Sequence, residues 1–421
     1  MHTHRLPRSP LLPAVLALLS GCATLFPRAP GPRPGSPGPT APTPAPRPGQ
    51  APAPPVPPVA GPAPAPGALR AGELTDGDKP EWMRALVRPD FATLPLRWSA
   101  RVSRFLEQYR NEPRHREIIR NWVRRLPAYR PGMVRILERH GLPPGLIFVA
   151  MIESGFSAGA VSSRSAGGFW QFLPDVARGY GLEVSFWVDE RRDPDKSTEA
   201  AALYLSDLDA RFGSWELALA GYNAGVYAVL TSIQRYNTND YLTLCQIESG
   251  LPWDTTEYVP KVLAVAIVEK NPVAFAINDV VPDQPRRFET IQVGGGVSFD
   301  ALASRLGVTA DEIAQLNPAF ARRRTPPDRG PVTLRVPEGR GKPLGDLGHG
   351  DLVMVRVRPG ETFARLAKTN RLARDRLRQI NGITSVSDES DVTPGTVLFL
   401  PRSAKKPAAP ANKPSPPKKP K

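Results

Sequence analysis

The sequence predicts a mainly α protein: an all-helical globular domain over residues 80–285, followed by two small strand–helix–helix–strand (βααβ) modules at 286–340 and 352–402. Three observations predict it. Apolar residues recur at helical spacing through the first region, with no period-two stretch among them. The segment 145–152 is apolar throughout, too uniform for one face of a surface helix, and reads as a helix buried on all sides. The last third repeats itself at a constant offset of 64 residues, without a gap.

The chain opens with Arg5 and Arg8 ahead of an apolar run, residues 11–19. That run is too short for a permanent membrane helix and reads as an export signal. Leu19-Ser20-Gly21-Cys22 resembles the lipobox of bacterial lipoproteins, which implies cleavage before Cys22 and acylation of its thiol; plain secretory cleavage is the alternative. Ala23 lacks the acidic character that retains such lipoproteins at the inner membrane. The resemblance therefore implies an outer-membrane lipoprotein facing the periplasm, its signal peptide ending at residue 22. With Cys22 acylated, Cys245 is the one cysteine left, so no intrachain disulfide is expected. Residues 23–79 form a tether. Its stretch 27–67 is almost entirely Pro, Ala and Gly, which cannot bury a core, and as polyproline II it would reach on the order of 120 Å.

From residue 80 the composition turns globular. Val102, Phe105, Leu106 and Tyr109 follow helical spacing, as do Ile119, Trp122, Val123 and Leu126. The arginines among them (Arg114, Arg116, Arg120, Arg124, Arg125) read as a solvated face, with a basic groove for an anionic polymer as the second reading. In the central helix, Pro143 and Pro144 suit the first turn and Gly155 the stop. Glu153 near its end has apolar neighbours and the negative pole of the helix dipole, and both favour the protonated carboxyl that a general acid needs. A Glu that merely leaves the helix into water is the plainer reading of that residue alone. Residues 162–168 read as a loop, and Phe169, Trp170, Gln171 and Phe172 begin an ordered segment. Aromatic rings beside amides suit sugar recognition, although such clusters also build ordinary cores. Ala201, Tyr204, Leu205, Leu208 and Phe212 mark another helix, closed by Gly213, and residues 258–270 a last one, with Pro260 in its first turn.

Four stretches then stand in a telling order: Glu153-Ser154, Gly168-Phe169-Trp170-Gln171, Tyr222-Asn223-Ala224-Gly225 and Glu257-Tyr258-Val259-Pro260. They resemble the lytic transglycosylases of the soluble-transglycosylase (goose-lysozyme-like) superfamily, and the intervening sequence resembles the membrane-bound lytic transglycosylase D type. The resemblance implies a lysozyme-like catalytic domain acting on peptidoglycan. It implies that Glu153 is the catalytic acid and base, that Ser154 orients groups near the scissile bond, that Gln171, Tyr222 and Asn223 line the glycan cleft, and that Tyr258 lies close to the carboxyl of Glu153. One carboxyl would serve twice: it protonates the bridging oxygen between N-acetylmuramic acid and N-acetylglucosamine, then takes the proton of the muramic 6-hydroxyl as a 1,6-anhydro ring closes. An ordinary glycosidase needs a second carboxylate; Asp175, Glu183, Asp189 and Glu190 are near enough in sequence to help. A hydrolytic muramidase on the same fold, or a wall-binding lipoprotein without activity, are the alternatives.

The two modules resemble LysM domains, which bind N-acetylated glycans. Arg358-Pro-Gly-Glu-Thr362 is close to that family's opening turn, which implies glycan contacts from Gly360, Glu361, Thr362 and, further on, Asn381. The first copy has lost that turn in sequence and reads as degenerate; for either copy, simple packing is the alternative. The five histidines (His2, His4, His115, His140, His349) lack ligand spacing, so neither metal nor cofactor is expected. A net charge of +15 also suits nucleic acid, but no nucleic-acid module appears and an export signal argues against it. The basic tail, residues 403–421, reads as disordered. The expected partners are peptidoglycan strands and, through a lipid anchor, the outer membrane.

Replacing Cys22 by Ser is expected to move the protein from the membrane fraction to the soluble periplasm while purified activity survives. Unchanged detergent-dependent fractionation of that variant would remove the anchor.

Overall fold

In a computed structural model the described residues are 72–88, 94–341, 347, 352–384, 389–390 and 392–401. The signal, Cys22, most of the tether and the tail lie outside them. The chain divides into two units: the first ends at Arg286, and the second comprises Arg287 onward together with Ser185–Val188.

The first unit is helical: α1 (Glu81–Arg84), α2 (Ala100–Asn111), α3 (Pro113–Arg139), α4 (Ile147–Ser154), α5 (Pro174–Gly179), α6 (Pro194–Phe212), α7 (Trp215–Ala224), α8 (Val226–Tyr236), α9 (Tyr241–Gln246) and α10 (Trp253–Lys270). Among the described residues it holds no strand, only isolated bridges such as Val161 with Gly167 and Gly167 with Phe172. At its centre α4 buries every residue from Ile147 to Ile152, as its uniform sequence predicts. A 3-10 turn, Pro144–Leu146, takes up the two-proline start. Gly155 ends the helix in the left-handed conformation (φ +57°), and a Cβ there would lie 2.2 Å from the Trp122 indole nitrogen. Glycine is therefore required twice over.

One helix runs through internal prolines, and another outruns the sequence expectation. α3 continues through Pro127 and Pro131, because Leu126, Met133, Ile136 and Leu137 all bury on one face and that burial outweighs the lost helical bonds. α10 starts at Trp253, not near residue 258, so Pro260 sits inside it and not in its first turn. Proline at 260 deprives the Thr256 carbonyl of its helical donor. The hydroxyl of Tyr241 on α9 replaces it, shared between the carbonyls of Thr255 (3.0 Å) and Thr256 (3.1 Å). The expected solvated arginine face is also partly tied down: Arg120 pairs with Asp279 at 2.6 Å and Arg124 with Asp283 at 2.5 Å.

The second unit holds the predicted repeat. In the first copy β1 (Phe288–Val293) and β2 (Val332–Pro337) form an antiparallel pair around α11 (Phe299–Leu306) and α12 (Ala310–Leu316); in the second, β3 (Leu352–Arg356) and β4 (Val397–Pro401) do the same around α13 (Phe363–Thr369) and α14 (Arg374–Ile380). Equivalent residues do equivalent work. Ser298 caps α11 and Thr362 caps α13, each accepting a backbone N–H at 3.2 Å. Gly296 and Gly360 both adopt φ +77°. The first copy thus keeps the backbone of the opening turn that its sequence had seemed to lose.

Tyr241→Phe leaves the Thr256 carbonyl buried without a donor and is expected to cost about 1–3 kcal/mol. Adding Pro260→Ala restores the helical N–H and should recover much of that loss. Denaturant unfolding of the single and double variants checks it; equal stability of Tyr241→Phe and wild type would refute the compensation.

Candidate functional site

The four stretches singled out in the sequence meet at the end of α4, and hydrogen bonds join them. The Tyr258 hydroxyl on α10 donates to Glu153 Oε1 at 2.6 Å. Ser154 Oγ donates to the Phe169 carbonyl at 2.8 Å, and Tyr222 on α7 donates to the Trp170 carbonyl at 2.7 Å. Thr255 Oγ1 donates to Asn223 Oδ1 at 2.8 Å.

The Gly168–Gln171 stretch is the hub. Gly168 (φ +75°) presses so closely on residue 191 that a Cβ would stand 1.8 Å from the Arg191 carbonyl oxygen. The Trp170 indole is fully buried and donates to Thr198 on α6 at 3.0 Å. Gln171 takes a left-handed backbone (φ +49°), held by its own amide, which donates to the carbonyls of Ala160 (3.1 Å) and Gly168 (2.9 Å). The amide donors expected to read glycan are thus engaged in shaping the loop, as are the hydroxyls of Ser154 and Tyr222. Asn223, by contrast, is exposed, and its side-chain oxygen receives Thr255.

Glu153 keeps partial exposure as a residue, yet protein surrounds its carboxyl group. Desolvation is the largest influence and raises the pKa from its ordinary carboxylate value to about 7, against the lowering effects of the Tyr258 hydrogen bond and the Lys261 charge. Burial and the neighbouring Glu153 push the Tyr258 and Tyr222 hydroxyls well above their ordinary range, so both stay protonated and remain donors. Three of the carboxylates that might have assisted are engaged: Asp189 binds Arg191 at 2.8 Å, Glu190 accepts from the Glu183 backbone at 2.8 Å, and Asp175 pairs with Arg178 at 2.9 Å. Glu257 anchors α10 by accepting from Arg101 at 3.0 Å and from Arg104. Lys261 and Thr255 are the residues that sequence reasoning missed. Lys261 stands one turn after Tyr258, a spacing that places it on the same helix face.

In the second module the opening turn is closed by Glu361, whose carboxylate accepts the Arg358 backbone N–H at 2.8 Å. Gly360 is exposed and Thr362 is the cap of α13. Asn381 corrects the expectation of a glycan contact. It is fully buried: its amide donates to the Leu377 (3.0 Å) and Phe399 (2.9 Å) carbonyls, and its oxygen accepts the Phe399 N–H at 2.7 Å. Asn317 makes the same three bonds to Ile313 and Arg335 in the first module. Both asparagines are clasps between the second helix and the last strand, with nothing left over for a ligand.

Comparison with known proteins matches residues 135–244 to the transglycosylase SLT domain, 287–345 to the LysM-like domain of lytic transglycosylase MltD, and 355–401 to the LysM domain. Membrane-bound lytic murein transglycosylase D of Escherichia coli K12 is 26% identical over 319 residues, covering 70% of this chain and 68% of that protein. Among solved structures, an inactive mutant of lytic transglycosylase Slt from Pseudomonas aeruginosa aligns at 24% identity and TM-score 0.30, covering 37% of this chain and 26% of the other. Soluble lytic transglycosylase SLT70 of E. coli aligns at 18% identity and TM-score 0.28, covering 36% and 26%. The chain therefore carries a transglycosylase SLT domain followed by MltD-type LysM-like and LysM domains, and is homologous to the membrane-bound lytic murein transglycosylase D of E. coli.

Proposed function

We infer that this protein is a peptidoglycan lytic transglycosylase in which Glu153 acts first as acid and then as base. The observation that carries the reading is the lone carboxyl at the end of α4, poised near neutrality by burial and aimed by the Tyr258 hydroxyl. A carboxyl that titrates near pH 7 gives and takes a proton with little driving-force penalty either way. The groups acting on it are Tyr258 and Lys261, and neither is an acid. That favours an intramolecular nucleophile, the muramic 6-hydroxyl, over a water held by a second carboxylate. Lys261 eases the stage at which Glu153 is ionised and the oxocarbenium-like sugar is being captured. Asn223 offers its exposed amide to the glycan, while Ser154, Gln171 and Tyr222 hold the cleft wall in shape.

In this reading the LysM module at 352–402 retains the enzyme on its insoluble substrate through Gly360 and the rim of the turn closed by Glu361 and Thr362. The envelope association carried in the homologue's name extends here to an outer-membrane lipoprotein, acylated at Cys22, whose proline-rich tether lets the catalytic domain search the periplasmic wall.

Digestion of purified peptidoglycan should release muropeptides with 1,6-anhydromuramic ends, one water lighter by mass spectrometry than reducing ends. Reducing ends would make water the acceptor and the enzyme a muramidase. Glu153→Gln should lower turnover by several orders of magnitude while sacculus binding persists; near-normal rates would exclude Glu153 as the acid.

The pH dependence carries a sign. Because the acid must be protonated, the rate on soluble glycan should decline as pH rises through about 7. A folded pKa raised from 4.5 to about 7 gives stability that is fully present below 4.5 and lost as pH rises through 7. Glu153→Gln should therefore match wild type near pH 4 and exceed it at pH 8, by at most ~3 kcal/mol. Thermal unfolding at the two pH values decides it, and a gap that does not widen with pH would contradict the raised pKa.

A further inference from the structure

A second feature lies at the same end of α4. A pocket of about 440 Å³ opens beside Phe156 and Ser157, the residues that follow the Gly155 stop, and Arg124, Arg125 and Arg286 line it against a single acid, Asp283. Three guanidiniums against one carboxylate leave two positive charges in the lining. The hydroxyl-bearing side chains of Tyr129 and Ser157 share the wall.

We propose that this pocket binds a carboxylate of the peptide branches carried by the glycan, and so selects strands with acidic stems. The proposal rests on the peptidoglycan reading above. Three features support it. The first is position: Arg125 donates to the Gly155 carbonyl at 3.1 Å, which fixes the pocket wall two residues along the chain from Glu153. The second is size. The volume lies in the range of small-ligand sites and suits a chain end. The third is chemistry: planar guanidinium forks match carboxylates. Burial and the adjacent Arg124 charge hold Arg125 below the ordinary guanidinium range, so the cations crowd one another and an entering anion relieves that repulsion. Asp283 meanwhile pins its segment to α3, accepting from Arg124 and donating its N–H to the Arg124 carbonyl at 2.7 Å. The arginines that the sequence read as a solvated face or a groove for an anionic polymer thus divide, and Arg124 and Arg125 line a small pocket instead.

The test uses the full-length protein and uncross-linked strands in two forms, native and with the stem carboxylates converted to amides. Wild type should cleave the native form with the higher kcat/KM. Arg286→Gln should lower the native-to-amidated ratio roughly three- to tenfold, and Asp283→Asn, which removes the only acid of the lining, should raise it. No preference in wild type, or both variants shifting the ratio the same way, as general damage to the fold would, overturns the proposal. Calorimetric titration with isolated stem peptide, native and amidated, reads the pocket without catalysis. Charge-dependent binding there upholds the pocket even if no 1,6-anhydro ends form and the catalytic reading fails; equal binding of the two peptides overturns it.

Discussion

The hydrogen bond from Tyr258 to Glu153 is the constraint on which the first unit turns. It joins two deeply buried helices, α4 and α10, through a carboxyl whose pKa desolvation raises to about 7. A buried carboxylate without a partner would be costly, and a buried carboxylate with a full ion pair would be a poor acid. A neutral phenol donor lies between these cases. It orients the group and moderates the burial, and it adds no charge. The remaining polar bonds among the motifs serve that arrangement: Ser154 and Tyr222 hold the 168–171 loop against α4 and α7, and Glu257 holds α10 through its arginines.

Much of this was legible in the sequence, for identifiable reasons. The uniform apolarity of 145–152 gave away a fully buried helix, and the gapless offset of the last third gave away two equivalent modules. Glu153 stood out only through the resemblance carried by the four stretches, since a Glu leaving the helix into water was the plainer reading of that residue alone. What the sequence hid was set by long-range packing. Pro260 read as part of a first turn, yet a hydroxyl from another helix repairs the gap it leaves inside α10, and burial of one face carries α3 past Pro127 and Pro131. Lys261 was hidden because its effect on Glu153 needs two helices to be brought together.

Asn381 failed for a different reason. A polar residue following a resemblance to a binding turn invites a binding role, and only the backbone shows that its donors and acceptor are spent inside the module. The same asparagine, with the same bonds, in the degenerate first copy makes the point independently: the clasp belongs to the fold, whatever the ligand. In the proposed reading, glycan recognition by the second module rests on its rim, where Gly360 is exposed.

The Tyr241 repair bears on how the acid works through a cycle. In the proposed mechanism a proton leaves and returns to Glu153 at every turnover, and each change of charge would pull on whatever faces it. α10 has no slack with which to respond. Its ladder is interrupted two residues after Tyr258, and a fully packed phenol from α9 grips it there at two successive carbonyls, like a pawl in a ratchet. The Tyr258 hydroxyl therefore meets the ionised and the neutral carboxyl from the same position, so the site has little of its own structure to rearrange as the proton moves. Low reorganisation of this kind is a large part of what separates an enzyme dipole from a water dipole, and here it traces to a proline that, on sequence grounds alone, looked like the start of a helix.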